Sequence, residues 1–224
     1  MSVKYGVLVF RRLAALMLLL VLGGTMAHAR DVNIAPGLPY VDIKIGGKTY
    51  RIERIQDTKH KLTNSFTKTS RPCPPFCIQP MSPAPGVHTV GELELIDFLK
   101  NKVEKNKGVL VDARIPAWYR KGTIPGAVNI PFTLLAPDNP YRDRILLVLG
   151  ARKLEDGTWD FGKARELLLF CNGPWCGQSP RAIRNLIAAG YPPEKLYYYR
   201  GGMQNWQLLG LTVVKPGAAK QVKK

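Results

Sequence analysis

LLLFCNGPWCGQSPRAI, residues 167–183, ends an apolar run in two cysteines five positions apart, Cys171 and Cys176, and then enters a segment with helical texture. Two readings of it exclude each other. From Trp175, WCGQS is a W-C-G-x-C dithiol site with Ser179 in place of the second cysteine. From Phe170, the same residues are a buried strand that delivers Cys171 to the mouth of a loop. That loop, Asn172, Gly173, Pro174, Trp175, Cys176, Gly177 and Gln178, returns to a helix N-terminus where Ser179 caps and Pro180 takes the first helical position. Its two glycines and one proline permit a compact curve with backbone amides turned inward. Inward amides and the positive end of a helix dipole favour an anion at the centre, so the second reading predicts a thiolate at Cys171 and nucleophilic sulfur chemistry.

Working outward, strand and helix patterns alternate from Val87. Thr89 followed by Glu92 has capping-box spacing, with Leu95, Leu99 and Val103 continuing at helical intervals. GVLVDAR (108–114) reads as a buried strand, ILLVLG (145–150) as helix and RELLLF (165–170) as strand at its apolar end. The helix opening at Ser179 stops at Gly190; LYYY (196–199) is a strand and MQNWQLLG (203–210) a short helix. Strands separated by helices predict an α/β fold, an open parallel sheet with helices on both faces and reactive groups at the carboxyl ends of its strands. Upstream, YVDIKIGGKTYRIERI (40–55) alternates around Gly46-Gly47 and predicts a β-hairpin. Residues 57–88 lose periodicity and read as a linker or as an ordered arm laid over a neighbour; they contain RPCPPFCIQPM (71–81).

Beyond the loop, the chain resembles the rhodanese-like family of sulfurtransferases across roughly residues 87–216. LVDARIPAWYRKGTIPGAVNIP (110–131) is similar to that family's strand and Asp-x-Arg with its G-H-I-P-G-A-x-N-I-P signature, Thr123 standing in place of the histidine. ELLLFC is similar to the strand into its catalytic cysteine, and AAGY followed by LYYYRGGMQNWQLLGLTV to its closing segment with Gly-Gly and tryptophan. The resemblance implies a five-stranded parallel sheet and a persulfide carried on Cys171. It weighs against a thioredoxin, since WCGQS lacks the second cysteine and no proline loop is evident opposite the site. The related cysteine phosphatases need His before the cysteine and Arg six after, where this chain has Phe170 and Gly177.

Asp112 and Arg114 read as a buried brace for the loop rather than as reacting groups, with Arg181 as a further support one turn into the helix. Trp118, Trp159 and Trp206 read as packing, whereas Trp175 sits in the loop and would wall the pocket. Cys176 is either a packed loop residue or a partner that closes a disulfide with Cys171, releasing sulfur or guarding against over-oxidation. Cys73 and Cys77 can pair with each other or with the loop cysteines, act as free redox thiols, or complete a four-sulfur site. C-x3-C with C-x4-C is not a common zinc spacing, so neither metal nor cofactor is predicted.

Residues 1–29 carry a basic patch (Lys4, Arg11, Arg12), about a dozen apolar residues and Ala27-His28-Ala29, the layout of a cleaved secretory leader. The apolar run is shorter than the roughly twenty residues a membrane span needs, so no span remains after cleavage. A periplasmic or secreted location follows, and with it an oxidising environment that permits disulfides. Of 224 residues and a formal charge of +17, cleavage would leave 195 and +14. Export argues against nucleic acid as the partner of this basic surface. The predicted organisation is a leader (1–29), an extension with hairpin and arm (30–86), the main domain (87–216) and a basic tail (217–224). Three functions are in play: a sulfurtransferase using Cys171, a thiol-disulfide or sulfur carrier using Cys171 and Cys176 with Cys73 and Cys77, and a non-catalytic binding module. The donor is a small sulfane-sulfur compound, thiosulfate or polysulfide-like, and the acceptor a thiol or protein. The absence of Lys or Arg between Cys171 and Ser179 weighs against thiosulfate, and oligomeric state is not legible.

Overall fold

The computed structural model describes residues 32–216, and the predicted leader and basic tail lie outside the described residues. Gly46 and Gly47, at φ 55° and 75°, turn the chain between antiparallel strands β1 (Tyr40–Ile45) and β2 (Lys48–Glu53). Two consecutive residues at positive φ are what a tight hairpin demands, and side chains with a Cβ resist that conformation. Alternation sends Ile43 and Ile52 inward, where they are buried against the helices of the main sheet. The hairpin is pinned by antiparallel contacts with the C-terminal segment: Thr212 N donates to Glu53 O at 3.1 Å and Ile55 N to Gly210 O at 2.9 Å.

The main sheet contains β3 (His88–Val90), β4 (Gly108–Asp112), β5 (Val128–Asn129), β8 (Glu166–Phe170) and β9 (Leu196–Tyr199), with a minor ribbon of β6 (Arg152–Lys153) and β7 (Trp159–Asp160) between them in sequence. The spatial order is β3-β9-β8-β4-β5, and every pairing is parallel. A parallel sheet covered on both faces needs strands that are apolar throughout, which is why β4 and β8 read as unbroken hydrophobic runs. Val109, Val111, Leu167 and Leu169 face one core with Ala182, Ile183 and Leu186. Leu110, Leu168 and Phe170 face the other with Leu95, Leu99, Met203 and Trp206.

Among the described residues, five α-helices complete the layers: α1 (Glu92–Phe98), α2 (Pro116–Lys121), α3 (Arg142–Val148), α4 (Gln178–Ala188) and α5 (Gly202–Leu208). A π-helical turn (Leu99–Val103) extends α1. Two capping expectations are corrected. Thr89 lies in β3, paired with Tyr198, and its hydroxyl donates to Met81 O; two residues on, at the actual helix start, the Glu94 carboxylate accepts from Gly91 N at 3.0 Å. Strand pairing captured the residue that local spacing nominated as a cap. At the second helix, α4 begins at Gln178 behind Gly177, and the Ser179 hydroxyl turns inward to sulfur instead of capping. Among the described residues no helix is long and apolar enough to cross a membrane.

Candidate active site

Register brings Asp112, Phe170 and Tyr199 side by side at the carboxyl edge of β4, β8 and β9. The next residues of these strands are therefore neighbours, and three turns meet there: 113–116, 171–178 and 200–202. Asp112 and Arg114 form a buried ion pair. Arg114 Nε donates to Asp112 Oδ1 at 2.8 Å and Nη2 to Oδ2 at 2.6 Å; Nη2 also reaches Gly122 O at 2.7 Å. Thr123, at the position of the signature's histidine, donates its hydroxyl to Asp112 Oδ2 at 2.8 Å. Arg114 Nη1 extends toward Asn172 Oδ1, at 3.4 Å. Both charged side chains are 2% exposed or less, and a buried ion pair holds its geometry only when its remaining hydrogen-bonding groups are satisfied.

Cys171 leaves β8 fully buried. Its Sγ donates to Cys176 O at 3.0 Å and accepts from the Ser179 hydroxyl at 3.0 Å. A turn closed by Cys176 N donating to Gly173 O at 2.9 Å folds Cys176 back onto Cys171, and the two thiols are hydrogen-bonded to each other. The amides of Asn172 and Gln178 point at the Cys176 sulfur, with the Arg114 charge behind it; the Asn172 side-chain amide is 3.8 Å from it. The cradle of inward amides is present, but most of it surrounds Cys176. Burial, followed by the hydrogen bond to Cys176, pushes the Cys171 thiol well up. The same bond, with those amides, brings Cys176 down to about 7. Two anions in one buried pocket repel each other, so the pair holds one negative charge between its two sulfurs, and the amides with the Arg114 charge favour it on Cys176. Ultraviolet thiolate absorbance measured against pH is expected to show one step near 7. Cys176→Ser should abolish this step, whereas Cys171→Ser should move it upward; persistence of the step without Cys176 would refute the assignment.

The irregular arm lies over this loop. Cys73 and Cys77 form a disulfide with each other, leaving Cys171 and Cys176 as thiols, so neither a four-sulfur cluster nor an arm-to-loop bridge forms. Phe76 packs edge-on against Trp175, with ring centroids 5.6 Å apart, and the Arg71 guanidinium sits 3.8 Å over the Trp175 ring. Gln79 N donates to Pro174 O at 2.8 Å, while Arg200 Nη2 holds Gln79 O at 2.9 Å. Trp175 Nε1 donates to Gln204 Oε1, and Gln204 Nε2 donates to Phe66 O at 3.0 Å. Trp175 therefore walls the site from its loop position, clamped by residues that carry no periodicity or motif in the sequence. Arg181 bonds Gly177 O through its amide, but its side chain is directed to the Phe132 ring and lines a cavity of about 320 Å³ with Thr133, Ala136 and Asp138.

Gly202 fixes the other flank. It sits at φ 56°, and a Cβ there would lie 2.5 Å from Cys171 O and 2.7 Å from Gly173 N. The following amides, Met203 N and Gln204 N, donate to Cys171 O and Asn172 O at 3.0 and 2.9 Å. Only glycine combines this conformation with so close an approach. Gly202→Ala is expected to destabilise by roughly 2–4 kcal/mol, from left-handed strain plus overpacking against backbone. Denaturant unfolding checks this, and a loss below about 0.5 kcal/mol, the size of an ordinary surface change, would contradict it.

The model of the Rhodanese-like domain family matches residues 95–209. A curated relative, the HTH-type transcriptional regulator Rv0324 of Mycobacterium tuberculosis, is 32% identical over 115 residues, which cover 51% of this chain and 41% of that protein. The chain thus spans about two fifths of the length of the curated relative it matches. The solution structure of the rhodanese-like domain from Anabaena sp. Alr3790 is 20% identical and covers 61% of this chain and 85% of its own, with a TM-score of 0.41. For the rhodanese-related protein of Thermoplasma volcanium the values are 17%, 57% and 97%, with a TM-score of 0.36. The matched residues run from within α1 to the end of α5 and take in β4, β8, β9, the cysteine loop and the Gly201-Gly202 turn; this chain belongs to the Rhodanese-like domain family.

Proposed function

We propose that the protein is an exported sulfurtransferase that carries sulfane sulfur as a persulfide on Cys171. The observation that supports this most directly is the hydrogen-bonded thiol pair at the end of β8, in which the more acidic Cys176 stands ready to take the proton of Cys171. A buried neutral thiol is a poor nucleophile, and an adjacent base corrects that. As a donor approaches, the Cys171 proton passes to Cys176, Cys171 Sγ attacks the sulfane sulfur, and the donor departs as its own thiolate or equivalent anion. The Ser179 hydroxyl and amide, which face Cys171 Sγ, steady the negative charge during attack. Transfer of the outer sulfur to a thiol acceptor restores the pair.

The donor is a small sulfane-sulfur compound of the polysulfide type. The loop between Cys171 and Ser179 holds no basic residue to meet the charged end of thiosulfate, and its outer wall is the Trp175 indole. Export rests on the leader-like residues 1–29 and agrees with the Cys73–Cys77 disulfide, a bond that persists in oxidising compartments. To test the reading, purified protein is exposed to inorganic polysulfide and its peptides are mapped by mass. One added sulfur on the Cys171 peptide is expected; modification confined to Cys176 would overturn the assignment.

A further inference from the structure

We infer that Cys176 resolves the persulfide: it attacks the loaded Cys171, closes a Cys171–Cys176 disulfide within the loop, and expels the carried sulfur as hydrosulfide. This rests on the sulfurtransferase reading above and gives the same site a second outcome, reduction of sulfane sulfur.

Geometry carries the inference. The 173–176 turn folds Cys176 back onto Cys171, with Cys171 Sγ 3.0 Å from the Cys176 carbonyl. A thiol held beside its target by so short a turn can attack without a large rearrangement of the loop. Cys73 and Cys77 are paired with each other, and the chain has four cysteines, so Cys176 is the one thiol of this chain free to resolve Cys171. Both loop cysteines are also nearly closed off from solvent, at 2% and 4% exposure. That enclosure favours an internal nucleophile over one arriving from outside.

Atoms and electrons balance with no further component. After loading, the outer sulfur is anionic and Cys176 holds the proton it took from Cys171. The proton moves to the outer sulfur, leaving a Cys176 thiolate. That thiolate attacks Cys171 Sγ; the Cys171–Cys176 bond forms, the bond from Cys171 Sγ to the outer sulfur breaks, and hydrosulfide leaves with the proton. The carried sulfur gains two electrons, supplied by the two thiols as they become a disulfide. Attack by thiolate on the inner sulfur is ordinary thiol–disulfide exchange. A return to the dithiol form requires an external dithiol reductant, which is oxidised to its own disulfide in the process. Cys176 thus deepens the site from a carrier of sulfur into one that accepts electrons from a dithiol.

The experiment uses the full chain, its Cys176→Ser and Cys176→Ala variants, and inorganic polysulfide as the probe. Each is loaded to completion, freed of excess probe and incubated without added thiol, while hydrosulfide is trapped and cysteine peptides are mapped. Wild type is expected to release close to one hydrosulfide per chain and to yield a bridged 171–176 peptide. Both variants lack the Cys176 base and so load more slowly; once loaded, they are expected to retain the added sulfur on Cys171 and to release hydrosulfide at least roughly tenfold more slowly. Retention of the added sulfur by wild type, with Cys176 still open to alkylation, overturns the inference and leaves the sulfurtransferase reading standing. Failure of wild type and both variants alike to take up sulfur or produce hydrosulfide overturns that reading, and the inference with it.

Discussion

Cys171→Ser is expected to lower sulfur transfer by roughly 10³-fold or more, a loss of about 4 kcal/mol of transition-state stabilisation. The substitution keeps the side chain's size and its hydrogen bonds to Ser179 and Cys176, so the fold and loop should survive. What disappears is the reacting atom: a hydroxyl at this position has no accessible anion and no affinity for sulfane sulfur. Steady-state transfer from polysulfide to a thiol or to cyanide measures the effect, with unfolding curves confirming that the variant is native. If Cys171→Ser retained even a tenth of the activity while Cys176→Ser abolished loading, the nucleophile would be Cys176, and the pair's roles would be reversed. The higher acidity of Cys176 makes this a real contest. Position supports Cys171 in the proposed role, because it extends directly from β8 and receives the Ser179 hydroxyl.

Asp112→Asn should cost about 3–5 kcal/mol of stability, the largest structural effect we expect from a near-isosteric change. The carboxylate accepts from the Arg114 amide, from two guanidinium nitrogens and from Thr123. An amide can keep some of these bonds but turns an N–H₂ toward the guanidinium and leaves a buried positive charge without its counter-ion. Arg114 also links Asp112 to Asn172, and its charge, no longer neutralised by a carboxylate, favours the nearby thiolate, so the loss should reach the cysteine loop as a lower Cys176 pKa as well as a lower unfolding midpoint. Chemical denaturation and thiolate absorbance read the two effects separately. A cost below about 1 kcal/mol would place the pair in the class of solvent-screened surface bridges and contradict its role as a brace.

Legibility in the sequence followed the range of the forces involved. Apolar runs such as GVLVD and ELLLF announced strands covered on both faces, and Gly46-Gly47 announced a turn, because each depends on residues within a few positions of one another. The Asp112–Arg114 pair was legible for the same reason. Thr89 shows the limit: its spacing to Glu92 satisfies a local rule, yet pairing with β9, more than a hundred residues later, claimed it for a strand. The division of charge between Cys171 and Cys176 was illegible, since it depends on where the amides of Asn172 and Gln178 point after the loop has closed. The roof of Arg71, Phe76 and Gln79 carried no signal beyond a choice between linker and ordered arm. Irregular backbone meets its partners one contact at a time.

The matched stretch 95–209 omits both the hairpin and the roof over Trp175. A fragment trimmed to it would leave the indole facing water where Phe76 and Arg71 had been, and would open gaps where Ile43 and Ile52 had filled the helical layer. Domain-sized pieces are often treated as faithful miniatures of their parent. In this protein the indole that walls the cysteine loop is held by residues upstream of the shared domain, so the smallest unit with the site intact is larger than the unit defined by kinship.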